Sequence, residues 1–230
     1  MVEGPKLLNE ALRGGATVLD VFVAPGGDDA VVADAIATGA RCHEVARDVL
    51  ERVADTVTPQ PLAAIVASVA VELDALRTSE FVVICVDVRD PGNLGTVLRV
   101  AEASGAGGVI CCEGSVDAFS PKTVRASAGS LFHVPVVAGG EPLEVLDRMG
   151  LWGVRRLGAD AQGGLPYDAV DLTLPTALVL GNEAHGLPPE VGDHLDGTVT
   201  IPMIGRTESL NVGMAAAVLC FERARQQRAT

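Results

Sequence analysis

Between residues 81 and 112 the chain spells out a strand, a helix and a second strand, and this succession limits the fold more than any other feature. Residues 81 to 88 are an apolar, β-branched run, Asp90-Pro91-Gly92-Asn93 is a turn, and Leu94, Val97, Leu98 and Ala101 then recur at i, i+3, i+4 and i+7. That spacing predicts a helix with one buried stripe, stopped by Gly105-Ala106-Gly107-Gly108 before a strand at 109 to 112. Two strands joined by one crossover helix run parallel. A parallel sheet needs cover on both faces, so the class is α/β. With 48% hydrophobic but only 3% aromatic residues, the core must be built from Ala, Val, Leu and Ile, which suits such a sheet.

The rest of the chain extends the pattern. Downstream, helices are expected at 121 to 128, with Lys122 and Arg125 on one side and Gly129 as cap, and at 142 to 149. Strands are expected at 134 to 137, 152 to 157 and 177 to 180. Residues 210 to 221 form a helix apolar nearly all round, which implies burial on several sides, followed by an exposed charged tail from 222 to 228.

Upstream, Pro5 suits a first helical position, so 3 to 13 is a short helix with Leu7, Leu8 and Leu12 on one face. A strand at 18 to 23, a helix at 29 to 38 and a mixture of helix and loop from Cys42 to Asp55 follow. Thr58-Pro59-Gln60-Pro61 then punctuates the chain, and the apolar 62 to 71 packs back. The organisation expected is a small α/β unit at 1 to 75, a linker at 76 to 80 and a main α/β domain at 81 to 230.

The formal net charge is −13, with 5 basic against 12 acidic residues up to residue 75 and 12 against 18 beyond it. Phosphate neutralisation supplies most nonspecific affinity for nucleic acid, so the acidic balance argues against strong nonspecific binding and leaves room only for a small local basic patch. Five cysteines at 42, 85, 111, 112 and 220 lack CxxC spacing, and three sit in apolar runs, so they read as core residues of a reducing compartment. No apolar run reaches the roughly 18 residues that span a bilayer, and no signal pattern opens the chain, so the expected location is the cytoplasm. The histidines at 43, 133, 185 and 194 lack metal-ligand spacing, and no metal is expected. GxxxxGK[ST], GxGxxG and GxSxG are absent, which leaves P-loop, Rossmann and serine-hydrolase chemistry without support.

Two segments carry polar groups with no packing purpose. Residues 178 to 188 run from Leu-Val-Leu into Gly181-Asn182-Glu183-Ala184-His185-Gly186, and 201 to 211 run from Ile201-Pro202-Met203 into Arg206-Thr207-Glu208-Ser209-Leu210-Asn211. Polar turns at the carboxyl ends of parallel strands build pockets.

Three ordered stretches, Asp90-Pro91-Gly92-Asn93-Leu94-Gly95-Thr96-Val97-Leu98-Arg99, Leu180 to Leu187, and Ile201-Pro202-Met203 through Asn211-Val212, resemble the motifs of the SpoU/TrmH family of RNA ribose 2′-O-methyltransferases. Lys122-Thr123-Val124-Arg125-Ala126-Ser127-Ala128-Gly129 looks like the family's intervening helix. The resemblance covers about residues 81 to 225, and Val2-Glu3-Gly4 with its helix is similar to the ribosomal-protein-like N-terminal domain of many members, starting later than is usual.

The resemblance implies a deep trefoil knot in the C-terminal domain, a homodimer, S-adenosylmethionine as cofactor and structured RNA as substrate, ribosomal RNA ahead of tRNA. A noncatalytic RNA-binding or assembly factor on the same fold is the alternative. Leu180, Gly181, Asn182, Ile201, Met203, Ser209 and Leu210 would hold the cofactor. Asn93, Arg99, Glu183, Ser209 and Asn211 would be catalytic, and Lys122, Arg125, Ser127 and Arg206 would contact RNA.

Arg99 projects about 140° from Leu94, off the buried stripe. With a free pKa above about 12, an arginine is a poor base. It would instead clamp a phosphate and stabilise the developing alkoxide. Glu183 has no apolar reason to stand at a strand end, and a partner such as Arg99 would orient both. Asn93 and Ser209 also suit helix caps, whereas Asn211 is harder to explain structurally.

Overall fold

A computed structural model describes residues 1–53, 58–161 and 163–229. Ala54 and Asp55, the end of the expected mixed segment, lie outside the described residues. The chain forms two compact units, one of 1–69 with 128–133 and one of 70–127 with 134–230.

The first unit contains β1 (Val2–Glu3), α1 (Pro5–Arg13), β2 (Val18–Val23), α2 (Asp29–Ala37), β3 (Arg41–Glu44), α3 (Arg47–Val53) and β4 (Leu62–Val66). Pro5 opens α1, and Asp28 caps α2 by accepting from the Ala30 and Val31 amides. The sheet order is β1-β4-β2-β3, with β4 antiparallel to both neighbours and β2 parallel to β3. The apolar 62 to 66 thus form an inner strand.

β3 corrects the expectation of helix and loop from Cys42. Its four residues are all exposed, so no alternation marks them. Hydrogen bonds from Arg41 and His43 to Asp20 of β2, at 2.7 and 2.8 Å, tie the strand down.

The second unit contains β5 (Phe81–Cys85), α4 (Pro91–Ser104), β6 (Gly108–Cys111), α5 (Pro121–Ser127), β7 (Val136–Ala138), α6 (Pro142–Leu151), β8 (Arg155–Ala159), β9 (Leu165–Pro166), β10 (Thr176–Leu180), α7 (Pro189–Gly192), β11 (Gly197–Thr200) and α8 (Val212–Ala229). Seven strands form one sheet in the order β7-β6-β5-β10-β8-β11-β9, and every pairing is parallel. Leu94, Val97, Leu98 and Ala101 are fully buried, as their spacing predicts. Gly105 ends α4 in the left-handed region at φ 77°.

The division between the units falls at 69/70, and Leu76, from the expected linker, is 1% exposed in the second unit's core. The strand expected at 152 to 157 begins three residues later, because Trp152 closes α6. Two arginines open β8 and mask its pattern: Arg155 donates to the Asp171 carbonyl, and Arg156 forks onto Asp196.

The last helix starts at Val212 rather than Leu210 and its tail is not wholly exposed. Glu222 and Arg223 are buried: Arg225 and Gln226 donate to the Glu222 carboxylate, and Arg223 stacks 4.8 Å from the Phe81 ring centroid. Of the cysteines, four are buried as expected, whereas Cys42, on β3, is exposed. Among the described residues no helix is long and apolar enough to cross a membrane.

Candidate active site

Because β5, β10, β8 and β11 run parallel, their following turns leave from one edge of the sheet. The turn after β10 is built by Asn182. Its backbone exchanges two 2.9 Å hydrogen bonds with Gly186, and its side-chain oxygen accepts from the Ala184 and His185 amides. Its Nδ2 donates to both the carbonyl and Oδ2 of Asp87 after β5, at 2.9 and 3.1 Å. These bonds use the whole side-chain amide, so Asn182 shapes the wall and offers no free group to a cofactor. Gly181 is needed for close approach: a Cβ there would lie 2.4 Å from the Gly186 carbonyl carbon.

Glu183 stands at the head of this turn. Oε1 accepts from Asn93 Nδ2 at 3.0 Å and from the Asp90 amide at 3.1 Å, while Oε2 accepts from the Arg89 amide at 3.3 Å. Asn211 Nδ2 donates to Asn93 Oδ1 at 2.7 Å, and Asn211 Oδ1 accepts from the Gly213 and Met214 amides at the start of α8. The directions are forced. A carboxylate only accepts, so Asn93 turns its NH2 to Glu183 and its oxygen to Asn211, which turns its own oxygen to the helix. The three segments meet in one line of polar side chains, and Glu183, Asn93 and Asn211 belong together.

Burial pushes the Glu183 carboxyl up, but the Asn93 amide and the backbone amides of Glu183, Asp90 and Arg89 outweigh it and hold the group below the ordinary glutamate value. Glu183 is therefore an anion at neutral pH and a weak base.

Several expectations need correction. The α4 cap is Asp90, whose Oδ1 accepts from the Asn93 amide at 2.8 Å, which frees the Asn93 side chain for the site. The α8 cap is Asn211, and Ser209 is exposed upstream of it. Arg99 is exposed and takes no ion pair among the described residues, so Glu183 is oriented by Asn93 and backbone amides instead. Ser127 is fully buried and its hydroxyl donates to the Val124 carbonyl at 2.8 Å, which removes it as an RNA contact. Lys122 and Arg206 are exposed and Arg125 is half-buried.

Beside this line lies a cavity of about 520 Å³. All seven residues expected to hold a cofactor line it, as do Glu183 and His185. The volume falls in the range of roughly 300–1,000 Å³ typical of small-molecule sites. Sequence reasoning missed Asp160, which follows β8, and Val199 of β11. β8 opens on Arg155 and Arg156, so no apolar run marks Asp160 as a strand-end carboxylate in the sequence. The lining includes carboxylates at 160, 183 and 208, and no Lys or Arg among the described residues. Among those residues no group of three or more His, Cys, Asp or Glu is placed to hold a metal ion.

Residues 80–221 match the SpoU rRNA Methylase family. The chain belongs to that family. Residues 1–64 match the MRM3-like substrate binding domain. Among SpoU relatives, the chain is 35% identical over 221 residues to the 23S rRNA (guanosine(2553)-2′-O)-methyltransferase RlmP of Bacillus subtilis, across 96% of this chain and 86% of that protein. It resembles the crystal structure of the SpoU methyltransferase AviRb from Streptomyces viridochromogenes in complex with AdoMet, with a TM-score of 0.88, 30% identity and coverage of 99% and 89%. The AdoMet-bound rRNA methyltransferase from Sinorhizobium meliloti gives a TM-score of 0.83 at 32% identity, over 97% of this chain and 85% of that one. The seven-stranded parallel α/β fold is thus that of SpoU/TrmH enzymes.

Proposed function

We propose that the chain methylates a ribose 2′-hydroxyl of structured ribosomal RNA, using S-adenosylmethionine. The observation that carries this reading is the Asn211–Asn93–Glu183 line, which joins all three family motifs at the wall of a cofactor-sized cavity. The cavity fits the group: Leu180, Ile201 and Leu210 supply apolar wall, and three carboxylates without a cation suit a ligand with net positive charge. S-adenosylmethionine, when bound, supplies an electrophilic methyl group.

The residues of the chain position and stabilise. Glu183, held anionic, is a fixed acceptor that orients Asn93 and through it Asn211. Asn93, Asn211 and Ser209 place the ribose and the cofactor loop. Arg99 clamps the adjacent phosphate and stabilises the alkoxide, whose proton passes to a phosphate oxygen or water.

Lys122, Arg125 and Arg206 hold RNA phosphates, and the N-terminal domain selects the RNA. The match of 1–64 to a substrate-binding domain supports that role. We also propose a homodimer in the cytoplasm and a trefoil knot in the C-terminal domain. Met214 and Phe221, 60% and 45% exposed on one side of α8, support a covered helix face.

The test is transfer of labelled methyl from S-adenosylmethionine to in-vitro-transcribed 23S ribosomal RNA, with calorimetry of cofactor binding. Wild type is expected to do both, and Arg99→Ala to bind cofactor normally while losing about 10²-fold or more in transfer. A wild-type protein that binds RNA but no cofactor contradicts this function and supports the noncatalytic alternative.

A further inference from the structure

Arg89 lies outside every residue assigned so far, yet it is built into the corner of the site. Its backbone amide donates to Glu183 Oε2, and its side-chain Nε donates to Asp87 Oδ1 at 2.7 Å. Asp87 is itself fixed: it holds the left-handed backbone conformation at φ 56°, and Asn182 Nδ2 bonds both its carbonyl and its carboxylate. The guanidinium is therefore gripped by its inner nitrogen. Its two outer nitrogens take no partner among the described residues, and the side chain is 73% exposed.

Support of the fold does not explain this arrangement, because an exposed ion pair adds little to stability. Approach of RNA does. An RNA strand reaching Glu183 meets the carboxylates of Asp87, Asp90 and Glu183 together, on a chain of net charge −13. Like charges at close quarters repel a phosphate unless a cation stands among them. Arg89 is that cation. Arg99 and Arg206, by contrast, take no ion pair among the described residues. A guanidinium already oriented by Asp87 loses less side-chain freedom on binding, and its planar fork matches two phosphate oxygens.

We infer that Arg89 is an RNA-binding residue whose free fork takes a backbone phosphate of the strand that carries the reacting ribose, with Asp87 as its positioning residue. This rests on the proposed methyl transfer to RNA.

The test uses the full chain and in-vitro-transcribed 23S ribosomal RNA, with affinity measured across a salt series and cofactor affinity measured separately. Arg89→Ala is expected to weaken RNA binding about 5- to 20-fold and to reduce the slope of log affinity against log salt by about 0.7–0.9, the release expected for one phosphate contact. Cofactor affinity stays at the wild-type value, and the loss appears in KM for RNA rather than in kcat. Arg89→Lys recovers the salt slope but only part of the affinity, since an ammonium cannot fork. Wild-type affinity and slope in Arg89→Ala overturn the inference while leaving the function intact. A loss confined to cofactor affinity also overturns it, because Arg89 then serves the cavity. Wild-type protein that neither binds nor methylates the RNA overturns the proposed function and this inference together.

Discussion

Replacing Asn93 tests the logic of the site most sharply, because this side chain stands in the middle of the polar line. Asn93→Ala removes the 3.0 Å donor to Glu183 and the 2.7 Å acceptor for Asn211 in one step. A sheltered hydrogen bond to a charged group contributes about 1.5–3 kcal/mol. Glu183 is exposed, so screening lowers its bond to about 1 kcal/mol. The neutral amide bond to Asn211 contributes about 1 kcal/mol as well, so the two together correspond to roughly a 30-fold loss in kcat/KM for methyl transfer. The same two bonds hold the folded chain, so unfolding free energy should fall by about 1.5 kcal/mol once alanine recovers about 0.5 kcal/mol of helix propensity in α4.

The pH profile adds a direction. Asn93 is the strongest of the donors that hold the Glu183 carboxyl down against burial, so its removal raises that pKa. Activity that needs the anion is then lost at a higher pH as the solution is acidified. Asn93→Asp is the stricter variant, because it places a second carboxylate where the donor stood, 3.0 Å from Glu183, and it should lose more than alanine does. The assay is steady-state transfer of labelled methyl over a pH series, with thermal melts as control. Wild-type kcat/KM in either variant refutes the reasoning.

Other parts of the structure make separate claims. A Cβ on Gly95 would lie 2.3 Å from the Ala126 Cβ and 2.7 Å from its carbonyl carbon, so Gly95→Ala should force α4 from α5 and cost about 1–3 kcal/mol in denaturant unfolding. Glu222, pulled by Arg225 and then Gln226 from 4.5 to about 2, contributes stability that is fully present above pH 4.5 and lost as pH falls toward 2. Acid titration of unfolding should therefore be shallower in Glu222→Gln over that window, and equal curves would remove the claim. Burial pushes the Cys112 and Cys220 thiols up to about 12, and Cys85, hydrogen-bonded to Cys111 and buried, is raised as well. A thiol reagent at neutral pH should label one cysteine, Cys42, in the native protein and all five after denaturation.

What could be read in the sequence is what short-range chemistry determines. The stripe Leu94, Val97, Leu98, Ala101 implied a helix and a parallel pair of strands, and all four residues are buried between elements that run as expected. The polar turns after residues 180 and 201 implied a pocket at one edge of the sheet, and their residues line one cavity. What could not be read depends on partners distant in sequence. β3 carries no apolar pattern and is held by Asp20, 21 residues before Arg41. Glu183 looked like a partner for Arg99, but backbone amides 93 and 94 positions upstream, with Asn93, occupy it instead. Ser127 sits beside Arg125 in a motif and still turns inward to its own helix. The α8 cap moved from Ser209 to Asn211 because the polar line through Asn93 selects the residue that bonds both ways. Arg223 reads as solvated charge until Phe81 is placed beneath it.

The central claim is that the cavity and the Asn211–Asn93–Glu183 line deliver a methyl group to a ribose oxygen. The most direct measurement incubates wild-type protein with labelled S-adenosylmethionine and unmodified 23S ribosomal RNA, digests the product to nucleosides and identifies the labelled species by mass spectrometry. The account predicts label in one species of 2′-O-methylnucleoside, absent with Arg99→Ala. Label on a base, or none on RNA in the presence of bound cofactor, would contradict it.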